Sequence, residues 1–306
     1  MNALPDSLRA GAASIGNFDG VHRGHARIVE RLVAQARAVG GPAIVFTFDP
    51  HPVRLLRPEQ APPPLTWTDR KVALLAELGV DGVLAYPTDL NLLGLSATTF
   101  FQRIVCEQLR AKALVEGPNF YFGQNREGNV DLLRQLCRAN GVVIEIVEPL
   151  EVDGLLVSSS RVREAIAAGR IDEARECLTR PYRIRGMVTH GAARGAKLGF
   201  PTANLEAVDT LVPGAGVYAG RAIWRGNTWP AAIHIGPIPT FGVHAPKIEV
   251  HLLGFSGTLY GEALEVDLVT RLRGVQPFAN VEALKTQLAK DVEATRRLAG
   301  IGEEGE

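Results

Sequence analysis

In the first half of the chain, short runs of consecutive apolar residues alternate with stretches in which apolar residues recur every third or fourth position. Ala12–Ile15 is one such run. It passes through a glycine-rich turn into a helical pattern from Ala26, in which Ile28, Val29, Leu32, Val33 and Ala36 share a face and Gly40-Gly41 stops the helix. Residues 43–48, 83–86, 113–116 and 142–147 read as further buried strands, with helices over 69–78 and 98–109 between them. Short, continuously apolar strands alternating with helices predict a doubly wound parallel sheet. Helices over 162–168 and 172–178 close this half.

After Thr179-Arg180-Pro181 the period drops from helical to two, as in Tyr182–Thr189. Short strands punctuated by Gly and Pro continue to about Val269 and predict a small antiparallel β-barrel. A last amphipathic helix over 281–297 presents Leu284, Leu288 and Val292 to that barrel. The expected fold class is therefore α/β: an α/β domain at 1–180, then a barrel domain with its helix at 181–306.

The length of 306 residues allows two well-buried cores. Lys plus Arg and Asp plus Glu are 33 each, so no net field recruits nucleic acid or an anionic membrane. Cys106, Cys137 and Cys177 are far apart and lack metal-ligand spacing, which reads as buried thiols in a reducing compartment. Residues 1–13 hold no signal-peptide core, and no run reaches membrane-span length. A cytoplasmic protein acting on small molecules is expected, with no nucleic-acid or membrane partner. A homo-oligomer is left open.

The chemistry concentrates in a few turns. In Gly16-Asn17-Phe18-Asp19-Gly20-Val21-His22-Arg23-Gly24-His25, a strand feeds a helix start whose unpaired N–H groups suit an anion, and Gly20 and Gly24 let a phosphate approach the backbone. His22 and His25, three apart, share one side of the first turn. Two imidazoles there could donate to the pyrophosphate leaving ATP, or could form a solvated or metal-binding pair. Thr47-Phe48-Asp49-Pro50-His51-Pro52 ends a strand in a rigid loop, as a site wall or as plain punctuation. Residues 117–128, with Asn119, Phe120, Tyr121, Phe122 and Arg126, suit either a flat ring or packing on the core. Ser158-Ser159-Ser160-Arg161-Val162-Arg163 exceeds what an N-cap needs and reads as a second phosphate cradle.

In the barrel half, Gly199-Phe200-Pro201-Thr202-Ala203-Asn204 offers a hydroxyl and an amide oxygen of the kind Mg²⁺ accepts, although Pro-Thr alone is an ordinary turn. Along Lys247–Leu252, Glu249 and His251 project to one side. Glu249 could take the proton of a primary alcohol attacking a γ-phosphate, or could make a surface ion pair.

The His22/His25 frame resembles the H-x-G-H motif of the nucleotidylyltransferase superfamily. With the 119–128, 158–163 and 199–204 motifs, the chain is similar to the bacterial bifunctional riboflavin kinase/FAD synthetase family from about Ala12 to about Arg297. The resemblance implies phosphorylation of riboflavin to FMN and adenylylation of FMN to FAD, both using ATP and Mg²⁺. It implies His22, His25 and Glu249 as catalytic residues. ATP in the adenylyltransferase would be held by Gly16, Phe18, Asp19, Gly24, Ser158, Ser159 and Arg163, and the flavin by Asp49, His51, Asn119 and Phe122. Gly199, Thr202 and Asn204 would hold the kinase's ATP, the last two through the metal.

The kinase half departs from the family pattern at Ala196, His234, Ile238 and Gly254, where Arg, Asn, Arg and Asp are common. An alternative is therefore an FAD synthetase whose kinase domain is weakened or inactive.

Overall fold

The computed structural model describes residues 4–191, 194–236 and 246–299. The departure at Ile238 lies outside the described residues. The chain packs as two compact units: Met1–Pro62 with Trp67–Ser158, and Pro63–Thr66 with Ser159–Glu306.

The first unit is built on five parallel strands: β1 (Ala12–Ile15), β2 (Ala43–Asp49), β3 (Gly82–Pro87), β4 (Ala113–Glu116) and β5 (Val143–Ile146), in the order β3-β2-β1-β4-β5. Successive residues point to opposite faces. Ala13, Ile15, Ile44, Phe46 and Leu114 enter one apolar core, and Ala12, Ala43, Val45, Ala113 and Val115 enter the other. Both faces are covered, which explains apolar runs without alternation. The order turns back at β1, so the crevice beyond the carboxyl ends of β1 and its neighbours is the expected ligand position. A short hairpin, β6 (Glu151–Val152) and β7 (Leu155–Leu156), ends the unit.

The helix expected over 98–109 is an α-turn, Ala97–Phe100, continued as a π-helix, Phe101–Gln108. Phe100, Phe101, Ile104 and Val105 of this segment all enter the core.

Glu116 ends β4 at 3% exposure, where its Oε1 accepts the Ile15 N–H at 2.7 Å. Burial raises its carboxyl pKa well above the usual value of 4.5, against a smaller opposing effect of that hydrogen bond. A carboxyl whose pKa is raised by folding contributes stability that is fully present below its unfolded pKa and is lost as pH rises through the folded one. Glu116→Gln keeps the acceptor and removes the ionisation. The melting temperature of the wild type is expected to fall relative to that of Glu116→Gln as pH rises above 4.5, a comparison that calorimetry at stepped pH would read.

The second unit begins with the helices Ser159–Ala167 and Ile171–Cys177. By packing, these two helices lie with the barrel rather than with the sheet: the second of them contacts barrel strands, and Thr270 donates to Asp172 at 2.8 Å. The strands β8 (Tyr182–Thr189), β9 (Ala203–Glu206), β10 (Gly216–Trp224), β11 (Asn227–Gly236), β12 (Lys247–Leu252) and β13 (Ala263–Arg273) close a barrel in the order β10-β11-β12-β9-β8-β13.

The last helix, Val281–Ala299, covers β10, β11 and β13. A charge pair pins it. Asp291, at 5% exposure, accepts from Arg273 Nη2 at 2.7 Å and Nε at 3.1 Å, and from Gln287 at 2.9 Å. Asp291→Ala strands the guanidinium, and the expected loss is about 3 kcal/mol in denaturant unfolding.

Candidate active sites

In the first unit, β1 gives way to a tight loop in which Gly20 (φ 80°) and Val21 (φ 38°) are left-handed and the Val21 N–H closes a turn on the Phe18 carbonyl at 3.1 Å. The loop folds His22 into the N-cap of the helix Arg23–Val39, three residues earlier than the apolar period predicts. His22 Nδ1 accepts the His25 N–H at 3.3 Å. With Nδ1 accepting, the proton of a neutral His22 ring sits on Nε2. His25 lies flat on His22, with ring centroids 3.6 Å apart and planes 15° from parallel, and Phe18 covers it at 5.0 Å. A Cβ at Gly24 would stand 3.2 Å from the His22 ring, close enough that the ring would have to give way.

His25 Nδ1 is buried without a hydrogen-bond partner. Burial, then the neighbouring His22 and then Lys71 hold its pKa well below the ordinary 6.5, which favours the neutral form of His25. Asp19 is buried beside this turn.

At the end of β2, Thr47 Oγ1 donates to the Asn17 carbonyl at 3.1 Å, and Asp49 accepts from the Thr68 hydroxyl at 2.8 Å. His51 Nδ1 caps the helix Pro52–Leu56 by accepting the Val53 N–H at 3.2 Å. Lys71 of the helix Thr68–Glu77 joins this group: its Nζ reaches Thr47 Oγ1 at 3.4 Å, and only 8% of the residue is exposed. Sequence reasoning missed it. The available signal was a lysine at the i, i+3, i+4 spacing with Leu74 and Leu75, which places a charge inside an apolar stripe.

In the 117–128 loop Asn119 is exposed, while Phe122 is 6% exposed and packs against Phe100 and Phe120, the latter stacked at 5.4 Å. Phe122 thus seats the loop on the core. The Arg126 guanidinium lies over the Tyr121 ring at 4.4 Å. Ser158 ends the first unit, whereas Ser159 and Arg163 belong to the second, where Arg163 donates to the Pro63 carbonyl at 2.9 Å. Arg161 pairs with Glu173 at 3.5 Å.

The second unit holds a cavity of about 420 Å³. Its lining combines apolar residues, among them Val217, Ile233, Phe278, Leu284, Leu288 and Val292, with the polar Thr202, His234, Lys247, Glu249, His251 and Arg273. The alternation of β12 sends Lys247, Glu249 and His251 to the cavity side. Glu249 faces His234 across the β11–β12 ladder and Asn204 across the β12–β9 ladder. Its Oε1 accepts from Lys247 Nζ at 2.5 Å, and its Oε2 lies 3.2 Å from His234 Nδ1. Hydrogen bonding to His234 first, and to Lys247 next, brings the Glu249 pKa down to about 2 against the opposing effect of burial. His251 Nδ1 donates to the Pro201 carbonyl at 2.7 Å, fixing the turn that carries Thr202. Gly199 sits at φ 89°, a conformation that suits glycine. Of the departures noted in the sequence, His234 turns out to be a partner of Glu249.

A doubly wound sheet opening onto a histidine-capped helix, and a closed barrel with a carboxylate in its cavity, define an enzyme with two phosphate-handling domains. Residues 4–161 match the FAD synthetase family, and residues 178–299 match the riboflavin kinase family. A bifunctional riboflavin kinase/FMN adenylyltransferase from Pseudomonas fluorescens is 42% identical over 98% of this chain and 96% of its own. One from Escherichia coli K12 is 36% identical, over 94% and 92%. A crystal structure of a protein from Streptococcus pneumoniae, described as a macrolide-efflux protein, superimposes with a TM-score of 0.85 at 30% identity, covering 96% of this chain and 95% of that one. Among the described residues no helix is long and apolar enough to cross a membrane. The chain belongs to the bifunctional riboflavin kinase/FMN adenylyltransferase family.

Proposed function

We propose that this chain moves the γ-phosphate of ATP to the 5′-hydroxyl of riboflavin in the barrel and joins the resulting FMN to a second ATP at the sheet, giving FAD and pyrophosphate. The catalytic division is taken at 180/181, and the setting is the cytoplasm.

At the sheet, an FMN phosphate oxygen forms a bond to the α-phosphorus, and the bond from that phosphorus to the bridging oxygen breaks. Pyrophosphate leaves with the electron pair. No protein nucleophile is needed, so positioning and electrostatics carry the step. His22, its Nδ1 engaged with backbone, and neutral His25 are donors to the departing charge. Gly16, Phe18, Asp19, Gly24 and Ser158 shape the nucleotide site, while Ser159 and Arg163 are assigned to the triphosphate on the sequence pattern. Asp49, His51 and Asn119 are assigned to the flavin side, with Phe122 acting from beneath the loop.

In the barrel, Glu249 receives the hydroxyl proton as the riboflavin oxygen attacks the γ-phosphorus and ADP leaves. A carboxylate held as low as Glu249 serves more by orienting the hydroxyl than by basicity, which suits a loose phosphoryl transition state. The Thr202 hydroxyl and Asn204 amide oxygen are hard donors that fit Mg²⁺, which when bound neutralises phosphate charge. Gly199 lets the phosphates approach the turn.

The observation that carries this reading is the stacked His22–His25 pair capping a helix at the sheet's reversal point. The test is to give the chain FMN and ATP, with Mg²⁺ or with excess chelator. Equal amounts of FAD and pyrophosphate with the metal, and neither with chelator, are expected. FMN left unchanged in the presence of Mg²⁺ would refute the reading.

A further inference from the structure

The buried stripe of the helix Thr68–Glu77 consists of Lys71, Leu74 and Leu75. An ammonium withdrawn from water requires compensation by hydrogen bonds or opposite charge. Lys71 receives little of either. Its hydrogen bond to Thr47 Oγ1 is long, at 3.4 Å, and among the described residues it makes no ion pair. The Thr47 hydroxyl has directed its own proton to the Asn17 carbonyl, so it offers Lys71 a lone pair only. Asp19 and Asp49 bear on Lys71 through space, and the Asp49 carboxylate is already engaged by Thr68.

A lysine stem is long enough to carry its charge out to solvent from most helix positions. This one instead turns inward to Thr47, near the carboxyl ends of β1 and β2, where a doubly wound sheet receives its ligand. It is also close enough to the histidine pair to act on His25. A buried lysine is ordinarily paired with a carboxylate. A cation left short of partners beside the ligand crevice suits an anion that arrives from outside.

We propose that Lys71 is a phosphate-binding residue of the adenylyl-transfer site, its ammonium taking the oxygens of a phosphoryl group when ATP or FMN binds. This rests on the reading of the sheet domain as the place of adenylyl transfer. Lys71 passes no proton and forms no bond in the step. As a compact point charge with three donors, it offsets the repulsion between two phosphate-bearing substrates.

The test uses the full-length chain carrying Lys71→Met. Binding of ATP and of FMN is titrated separately, with riboflavin phosphorylation measured alongside. Affinity for one of the two ligands is expected to fall at least about tenfold, as loss of a charge-assisted hydrogen bond implies, and the ligand affected identifies the phosphate that Lys71 holds. The kinase rate should stay within about twofold of the wild type's. Unchanged affinity for both ligands overturns the proposal. Should Lys71→Met fail to fold, the wild-type chain answers instead. Mass spectrometry would follow amine acylation at Lys71, expected to slow in the presence of ATP or FMN; a rate that neither ligand alters overturns the proposal. A wild-type chain that makes no FAD overturns the reading of the site. Normal FAD synthesis with normal binding by Lys71→Met overturns this inference alone.

Discussion

Replacing His25 with alanine is expected to slow adenylyl transfer about 10²–10³-fold while riboflavin phosphorylation proceeds at its normal rate. That magnitude is the usual cost of losing one preorganised donor to a developing negative charge. His25 fits such a donor because little about it has to move: it is stacked at 3.6 Å on a His22 ring that is itself fixed as a helix cap. Burial, His22 and Lys71 keep His25 neutral, so its protonation state should not change through the pH range in which a free histidine titrates. The adenylyl-transfer rate is accordingly expected to show no limb from His25 near pH 6.5. A His25 limb would appear only at lower pH. Pyrophosphate release from FMN and ATP, followed at stepped pH in wild type and His25→Ala, measures both effects.

The second large effect is expected in the barrel. Glu249→Gln should reduce riboflavin phosphorylation about 10²-fold, the low end of the range for losing a general base because the group acts chiefly by orienting the hydroxyl, and leave FAD formation from added FMN unaltered. The two partners of Glu249 set the pH behaviour. A carboxylate held at about 2 is ionised throughout the physiological range and takes a proton only as pH falls toward that value. In His234→Ala the largest of these influences is gone, so the acid limb of the kinase rate should move up toward 4.5. ADP release from riboflavin and ATP, plotted against pH for the two proteins, checks the direction.

The parts of this molecule that could be read from its sequence are those set by local pattern. Residues 12–25 announce a strand, a turn and a helix start because the apolar run, the glycines and the histidines are neighbours in the chain. The change of period after Pro181 announces the barrel. Glu249 and His251 share a face because alternation along one strand is sufficient to place them together.

What escaped the sequence depends on packing. Lys71 shares a helical face with Leu74 and Leu75 by spacing alone, but only packing of the helix on the sheet turns its ammonium toward Thr47 rather than out to solvent. Phe122 reads either as a ring beside a flavin or as core packing, and closure of its loop sets it against Phe100 and Phe120. His234 stands out as a departure from the family pattern, but its role as partner of Glu249 is fixed by the β11–β12 register, which no local pattern specifies. The helices Ser159–Ala167 and Ile171–Cys177 have the texture of the α/β half and pack with the barrel, because the apolar stripe of a helix does not say which core it will join.

One chain that carries out a phosphoryl transfer and then an adenylyl transfer at two sites must release its flavins in a fixed order. The most direct measurement is a chromatographic time course of flavins made by the wild-type chain from riboflavin, ATP and Mg²⁺. FMN is expected to appear first and then to be converted to FAD. FAD that forms only when FMN is supplied, with riboflavin left untouched, would contradict it.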